Sequence, residues 1–473
     1  MDNPFNQPFA MITRIEIDGF KSFRDFKLEL APFTLIAGAN ASGKSNLFDA
    51  LMLLSSIAES DLRQAFARQR GEPEELFTQY GSDERAAHMH FAVEMFVNPL
   101  IRDDWGNESE LAHLRLRYEI AIERRKTASG LEKLLVTREE LRPIRPSEDG
   151  WLEKMVGKKN KHWRALKGKN TYKPYIYTDR KDGIPTIFVR QDGIRGGRPT
   201  PVKELERSVL SGISGTEFPH AFAAKKEMMS WRELHLQPNE MRRPSKMLGP
   251  TQLGPHGEHL AGMLQRLQEK DPDAMLRISR KLSRFVPSIR RIYVDKDEER
   301  KQFIIRAETT EGQRWSAAVL SEGTLRLLVL AALSEDEEWS GTLCLEEPEN
   351  GVHPTRIKDT VALLADLVTD FREVPEAKAF RLRQVLANTH SPILLQEFFR
   401  AIKDDWFQGA CYFAEIRPVA DPKHKATWHR TRMLPVTLDE KEQIPGLTPP
   451  EEKISLLRVK DFLMYQKTPE PVK

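Results

Sequence analysis

Two cysteines in 473 residues, Cys344 and Cys411, are too few for a disulfide framework, and both sit in apolar, strand-like runs. That usage points to buried thiols in a reducing compartment. No run of about 18 apolar residues occurs, so there is no candidate membrane span. The first residues, Met1-Asp2-Asn3-Pro4-Phe5-Asn6-Gln7-Pro8, lack the basic start and long apolar core of a secretory signal. The expected location is the cytoplasm, with no membrane contact. No heptad series is sustained over three or four repeats, which excludes long coiled-coil arms. Internal repeats are absent too. Net charge is only +3, but it is unevenly placed. Between Gly157 and Lys203, thirteen Lys and Arg stand against three acids, Asp179, Asp182 and Asp192.

What remains is 40% hydrophobic and 30% charged, the balance of a soluble globular chain. Its length suits two or three domains, or one with a large insertion. Near the N-terminus, Gly38-Ala39-Asn40-Ala41-Ser42-Gly43-Lys44-Ser45 fits the phosphate-loop pattern G-x-x-x-x-G-K-[ST] at every fixed position. The apolar run Phe33–Ala37 before it reads as a buried strand. Leu47, Phe48, Leu51, Leu54 and Ile57 after it are spaced as one face of a helix. Strand, glycine loop and helix together point backbone N–H groups and a helix N-terminus at a polyphosphate. Gly38 and Gly43 permit the tight backbone, Lys44 brings a charge to the outer phosphates, and Ser45 offers a hydroxyl to Mg²⁺. The expected nucleotide-binding set is Gly38, Asn40, Ser42, Gly43, Lys44, Ser45 and Asn46. Lys21 and Arg24, in the turn Gly19–Arg24, either reach a phosphate or ribose or form an exposed basic turn.

Residues 11–37 read as three strands, and a helical stretch follows to about Ala67. His88–Val97, Leu114–Glu123 and Leu131–Leu141 alternate with period two and predict an antiparallel lobe. Residues 143–250 are dense in glycine and proline, and Asp182-Gly183 and Asp192-Gly193 mark hairpin turns around Ile184–Val189. Trp163, Tyr172, Tyr175 and Tyr177 interleave with the basic residues there. Such a segment either grips DNA or forms a solvated basic insertion with a small aromatic core. Helical spacing returns over 258–285, then strands over Ile289–Val294 and Gln302–Ala307.

Three further stretches carry chemistry. Leu320-Ser321-Glu322-Gly323-Thr324 opens a strongly apolar helix, a second anion-binding N-terminus. The buried strand Thr342–Leu345 runs into Glu346-Glu347-Pro348-Glu349-Asn350-Gly351-Val352-His353-Pro354. Two carboxylates at a strand end suit Mg²⁺ and an attacking water. Val385–Asn388 ends in Thr389-His390-Ser391, where a histidine can meet a γ-phosphate. The tail has an amphipathic helix after Pro449-Pro450-Glu451-Glu452, suited to its own domain or to a partner.

In this order the motifs resemble the ABC-type ATPases of the RecF, SMC and OLD group, in particular the compact bacterial ATPases grouped as AAA_21. The resemblance covers roughly 11–142 and 286–415. It implies an α/β fold: an ABC/SMC-like P-loop ATPase head, with a mixed central sheet, an antiparallel β lobe and an inserted α+β subdomain. The expected division is 1–142 and 286–437 for the two parts of the head, 143–285 for the basic insertion, and 438–473 for the tail. The resemblance further implies ATP and Mg²⁺ as ligands, Ser45 and Glu346 at the metal, Glu347 as general base and His390 as switch histidine. Asn350 and His353 would lie in the D-loop. Ser321 and Gly323 would act in trans on ATP held by a second copy, in a homodimer or higher oligomer. The Q-loop glutamine has no clear place, since Gln79 comes too early and Gln191 or Gln252 would be arbitrary. No Asp-x-Asp set follows His390, so a nuclease domain of OLD type is not expected. Relatives of this kind commonly serve in anti-phage defence, restraining a separate nuclease or toxin. A RecF-like repair ATPase bound to DNA through 157–203, and a nucleotide-gated module with slow hydrolysis, stand as alternatives. A transport ATPase lacks any membrane-coupling signal.

Overall fold

The computed structural model describes residues 11–81, 84–127, 130–156, 172–181, 184–191, 197–371, 382–421, 426–438 and 453–465. Most of the basic run, including Lys158, Lys159, Lys161, Trp163, Arg164 and Lys167, lies outside them. So do Asp182-Gly183, Asp192-Gly193 and Pro449–Glu452.

A seven-stranded sheet runs in the order Arg232–Leu234, Gly341–Glu346, Arg383–Thr389, Phe33–Ala37, Gly409–Asp421, Ala426–Thr437, Ile454–Ser455. The first five are mutually parallel. Phe33–Ala37 is buried along its whole length, as a parallel strand covered on both faces must be. Parallel direction also brings the C-terminal tips of four strands to one edge, where ligands of open α/β sheets bind. The loop at 38–45, the acids at 346–347, the histidine at 390 and the residues after Leu234 all leave from that edge.

An eight-stranded sheet holds Gly197–Pro201, Ile184–Arg190, Ile176–Lys181, Glu132–Pro143, Arg115–Lys126, His88–Phe96, Met11–Asp18 and Phe26–Glu29, in that order. All its pairings are antiparallel. Strands 176–201, set apart in sequence as an insertion, extend this lobe through the pairing of Leu141 with Ile176. Arg232–Leu234, from the same stretch, joins the central sheet. Buried Gln384 stitches the two sheets. Its Oε1 accepts from the Ile12 N–H (3.1 Å) and Thr342 Oγ1 (2.7 Å), and its Nε2 donates to the carbonyls of Ile12 (2.7 Å) and Ala31 (3.0 Å). A buried amide with all these bonds made adds register at little cost.

Helix Lys44–Glu59 packs against helix Pro219–Ser230. Helix Glu322–Glu335 is buried from Gly323 to Leu333, mostly apolar apart from Thr324 and Arg326, and packs on the helices Ala274–Phe285 and Ile357–Ala365. The tail helix Leu456–Tyr465 docks on its own chain, with Val459 fully buried and Phe462 edge-on to Phe413. Among the described residues no helix is long and apolar enough to cross a membrane.

Candidate nucleotide site

The phosphate loop is held tightly from below. Gly43 adopts φ +87°, and a Cβ there would stand 2.1 Å from Thr431 Oγ1, so both conformation and space demand glycine. Lys44 opens the helix with its side chain buried. Its Nζ donates to the carbonyls of Gly38 (2.8 Å) and Ala39 (2.7 Å). Burial draws the ammonium's pKa down, against the pull of Glu347, Glu346 and Glu349. A lysine aimed into its own loop suits an anion, and the carboxylates opposite suit a cation that accompanies it. The Ser42 hydroxyl is buried with no hydrogen-bond partner among the described residues. Asn46 Nδ2 donates to Ser22 Oγ (2.8 Å), tying the helix start to the turn at 19–24. Asn40 is exposed at the loop's crest.

Lys21 and Arg24 are both engaged beside the loop. Lys21 Nζ pairs with Asp49 at 2.7 Å, and Arg24 lies over the rings of Tyr80 and Trp428.

Glu346, at the strand tip, is hydrogen-bonded by the Ser45 hydroxyl and lies 3.1 Å from His235 Nδ1. His235 first, then Ser45 and Arg70, hold its carboxyl down at about 2 against the cost of burial. It is ionised at any physiological pH. Glu347 stands at φ +45°, a left-handed backbone that costs a non-glycine residue roughly 1–3 kcal/mol. Its N–H donates to both the carbonyl (3.1 Å) and Oδ1 (3.0 Å) of Asn388. Its carboxylate meets His390 Nδ1 at 2.9 Å and accepts from Asn350 Nδ2 at 3.0 Å. Glu347, Asn350 and His390 are therefore one hydrogen-bonded group. Glu349 turns inward to accept from Thr389 Oγ1, and burial raises its pKa. His353 caps the turn that follows, its Nδ1 2.9 Å from Thr355 Oγ1.

Ser321 is the N-cap of its helix, and its Oγ accepts from the Thr324 N–H at 3.2 Å. Gly323 faces the turn at Gly351 of the same chain, where a Cβ would stand 2.4 Å from the Gly351 carbonyl. Gly323 is thus set against Gly351, and the Ser321 hydroxyl is bonded only within its own turn among the described residues.

Glu233 and His235 were missed in sequence. His235 Nε2 lies 3.0 Å from Glu233 Oε1, and its pKa is raised to about 10, chiefly by Glu233 and then Glu346. The three weighed glutamines go elsewhere. Gln79 Nε2 donates to the Gly81 carbonyl, Gln191 to Glu217, and Gln252 Oε1 accepts from Arg232.

The sequence model described as "AAA domain, putative AbiEii toxin, Type IV TA system" (AAA_21) matches residues 33–396. The chain belongs to this family. The matched AAA domain is of the P-loop ATPase kind, and the matched span runs from the loop strand to the helix after His390. No curated protein matches it. Among solved structures it is similar to an Smc head bound to the C-winged helix domain of ScpA, at 13% identity and TM-score 0.46, covering 90% of this chain and 98% of that one. It is also similar to the SMC head domain of Thermotoga maritima, at 12% identity, TM-score 0.38, and 90% and 99% coverage. A third is the Smc head with coiled coil and joint from Pyrococcus yayanosii, at 12% identity, TM-score 0.41, and 97% and 100% coverage.

Proposed function

We propose that this AAA_21 protein binds ATP with Mg²⁺ in the loop 38–45 and hydrolyses it in a site completed by a second copy of the chain. The observation that carries the reading is the arrangement of Glu347, oriented by Asn388, Asn350 and His390 on the strand edge beside Lys44. The donor set fits Mg²⁺, because the Ser45 hydroxyl and an ionised Glu346 are hard oxygens. Bound there, Mg²⁺ would offset charge on the β- and γ-phosphates. Lys44 leaves the Gly38 and Ala39 carbonyls for the outer phosphates. Glu347 takes the proton of the attacking water, and His390 orients Glu347 and faces the γ-phosphate. Ser321 and Gly323 of the second copy supply hydroxyl and N–H donors from a helix N-terminus.

In the cell, this ATPase senses or restrains a separate effector, a nuclease or toxin, in a bacterial defence system. The family's description, which names a putative toxin of a Type IV toxin–antitoxin system, supports the defence setting of that role.

Glu347→Gln tests the core of the reading. It should bind ATP, lose roughly 100-fold or more in turnover, and accumulate as a closed dimer. Light scattering with and without ATP reads the mass. Unchanged mass together with undiminished turnover would reject both the base and the dimer.

A further inference from the structure

The turn after the acid strand sends its side chains two ways. Glu347 and Asn350 bond to each other on the outside, while Glu349 points inward and is only 9% exposed. Its Oε1 accepts from Thr389 Oγ1. Its Oε2 is shut off from solvent with no hydrogen-bond partner among the described residues. A carboxyl in such a place costs stability, and burial raises its pKa accordingly. An apolar side chain would be easier to bury there, so the acid calls for a reason other than packing.

Thr389 supplies one. Its side chain is fully buried, and its Oγ1 also accepts from the Ser391 N–H at 2.9 Å. Its carbonyl accepts from the Gly38 N–H at 3.2 Å, at the start of the phosphate loop. Ser391 in turn caps the helix Pro392–Lys403, its Oγ accepting from the Leu394 N–H at 3.2 Å. Between them, His390 has a ring 48% exposed whose Nδ1 meets Glu347 Oε1 at 2.9 Å. Little packing holds so open a ring, so its aim is set by the backbone on either side. That backbone is tied to the acid turn by the Glu349–Thr389 bond and, one residue earlier, by Asn388, which accepts the Glu347 N–H.

We propose that Glu349 is a positioning residue for hydrolysis: through the Thr389 hydroxyl it holds the loop 389–391 so that His390 stays on Glu347. Its part in turnover rests on the nucleotide reading, which gives His390 and Glu347 their roles, whereas its hold on the loop does not. The bond needs an acceptor oxygen rather than a charge, so glutamine serves at this position where alanine does not.

Histidine-labelled protein without nucleotide, observed by NMR, reads the loop independently of catalysis. His390→Gln identifies the His390 ring signal among the twelve histidines. Glu349→Ala and Thr389→Val should shift or broaden that signal, while Glu349→Gln and Thr389→Ser should leave it in place. With ATP, the two disruptive variants should lose about 10- to 100-fold in kcat with little change in KM. Because they break one bond, the double variant should lose no more than the worse single one. Should Glu349→Ala fold poorly, Thr389→Val and its serine rescue carry the test. If Glu347→Gln keeps its turnover, the nucleotide reading fails, and the ring signal still decides whether Glu349 sets His390. An unmoved His390 signal, an unchanged kcat, or a Glu349→Gln variant as impaired as Glu349→Ala would overturn the positioning role.

Discussion

Glu227, on the helix beside the phosphate-loop helix, is a carboxyl shut away from water with Trp231 Nε1 donating to it at 2.9 Å. Burial pushes its pKa from an ordinary 4.5 up to about 8. The folded state therefore holds a proton that the unfolded chain releases at lower pH. The sign follows. Stability from this group is complete below the unfolded value and is lost as pH rises from there to about 8. The slope is at most roughly 1.4 kcal/mol per pH unit. Glu227→Gln removes the titration. Urea unfolding across a pH series should find the variant gaining on the wild type as pH rises, with the gap levelling off above about 8. A constant gap at all pH values would mean that the carboxyl is ionised in the fold. Half-buried Glu346, by contrast, is held down at about 2, so the two acids respond to pH in opposite senses.

The helix Glu322–Glu335 has a job at its N-terminus besides packing, and the two can be separated. Ser321 caps it, and removing a cap costs typically ~1 kcal/mol. Aspartate caps as well as serine does, yet it places a negative charge where a partner's γ-phosphate is proposed to land. Ser321→Asp should therefore keep the wild-type unfolding temperature within a few degrees while ATP turnover falls by roughly 100-fold. Lost stability with retained turnover would show that the cap is structural only. Elements of this kind were legible in sequence because their signals are local. The phosphate loop, the paired acids, the Ser-x-Gly helix start and the Thr-His-Ser tip are each contiguous, and each lies on the element expected of it. Glu233 and His235 were not legible. They sit at a three-residue edge strand whose register is fixed only by pairing with Leu343–Leu345, more than a hundred residues away. Asn388 and Glu349 were obscured for a related reason, since both read as ordinary polar neighbours until the fold turns them toward Glu347 and Thr389. The lobe ran on beyond its expected edge because one long-range pairing, Leu141 with Ile176, joins the strands at 176–201 to it.

At the scale of the whole molecule, Gln384 fixes the lobe to the central sheet, so the turn at 19–24, the phosphate loop and the acid strand share one frame. Ser321 and Gly323 start a helix elsewhere in that frame, where Gly323 packs on the turn at Gly351. The proposed site takes both sets, from two copies related so that each copy's Ser321 meets the other's loop. Mixing two inactive variants tests this arrangement directly. Lys44→Ala cannot hold ATP, and Ser321→Asp cannot close over it, so either homodimer is silent. In a mixed dimer, the Lys44 of one chain faces the Ser321 of the other across one intact site, while the second site carries both lesions. Random pairing at equal amounts makes half the dimers mixed, each with one working site of two, so turnover should recover to about a quarter of wild type. Recovery should rise with protein concentration and vanish on dilution below the dimer's dissociation constant. If the mixture stays as inactive as its components while each still exchanges subunits, Ser321 acts within its own chain or not at all, and the composite site fails.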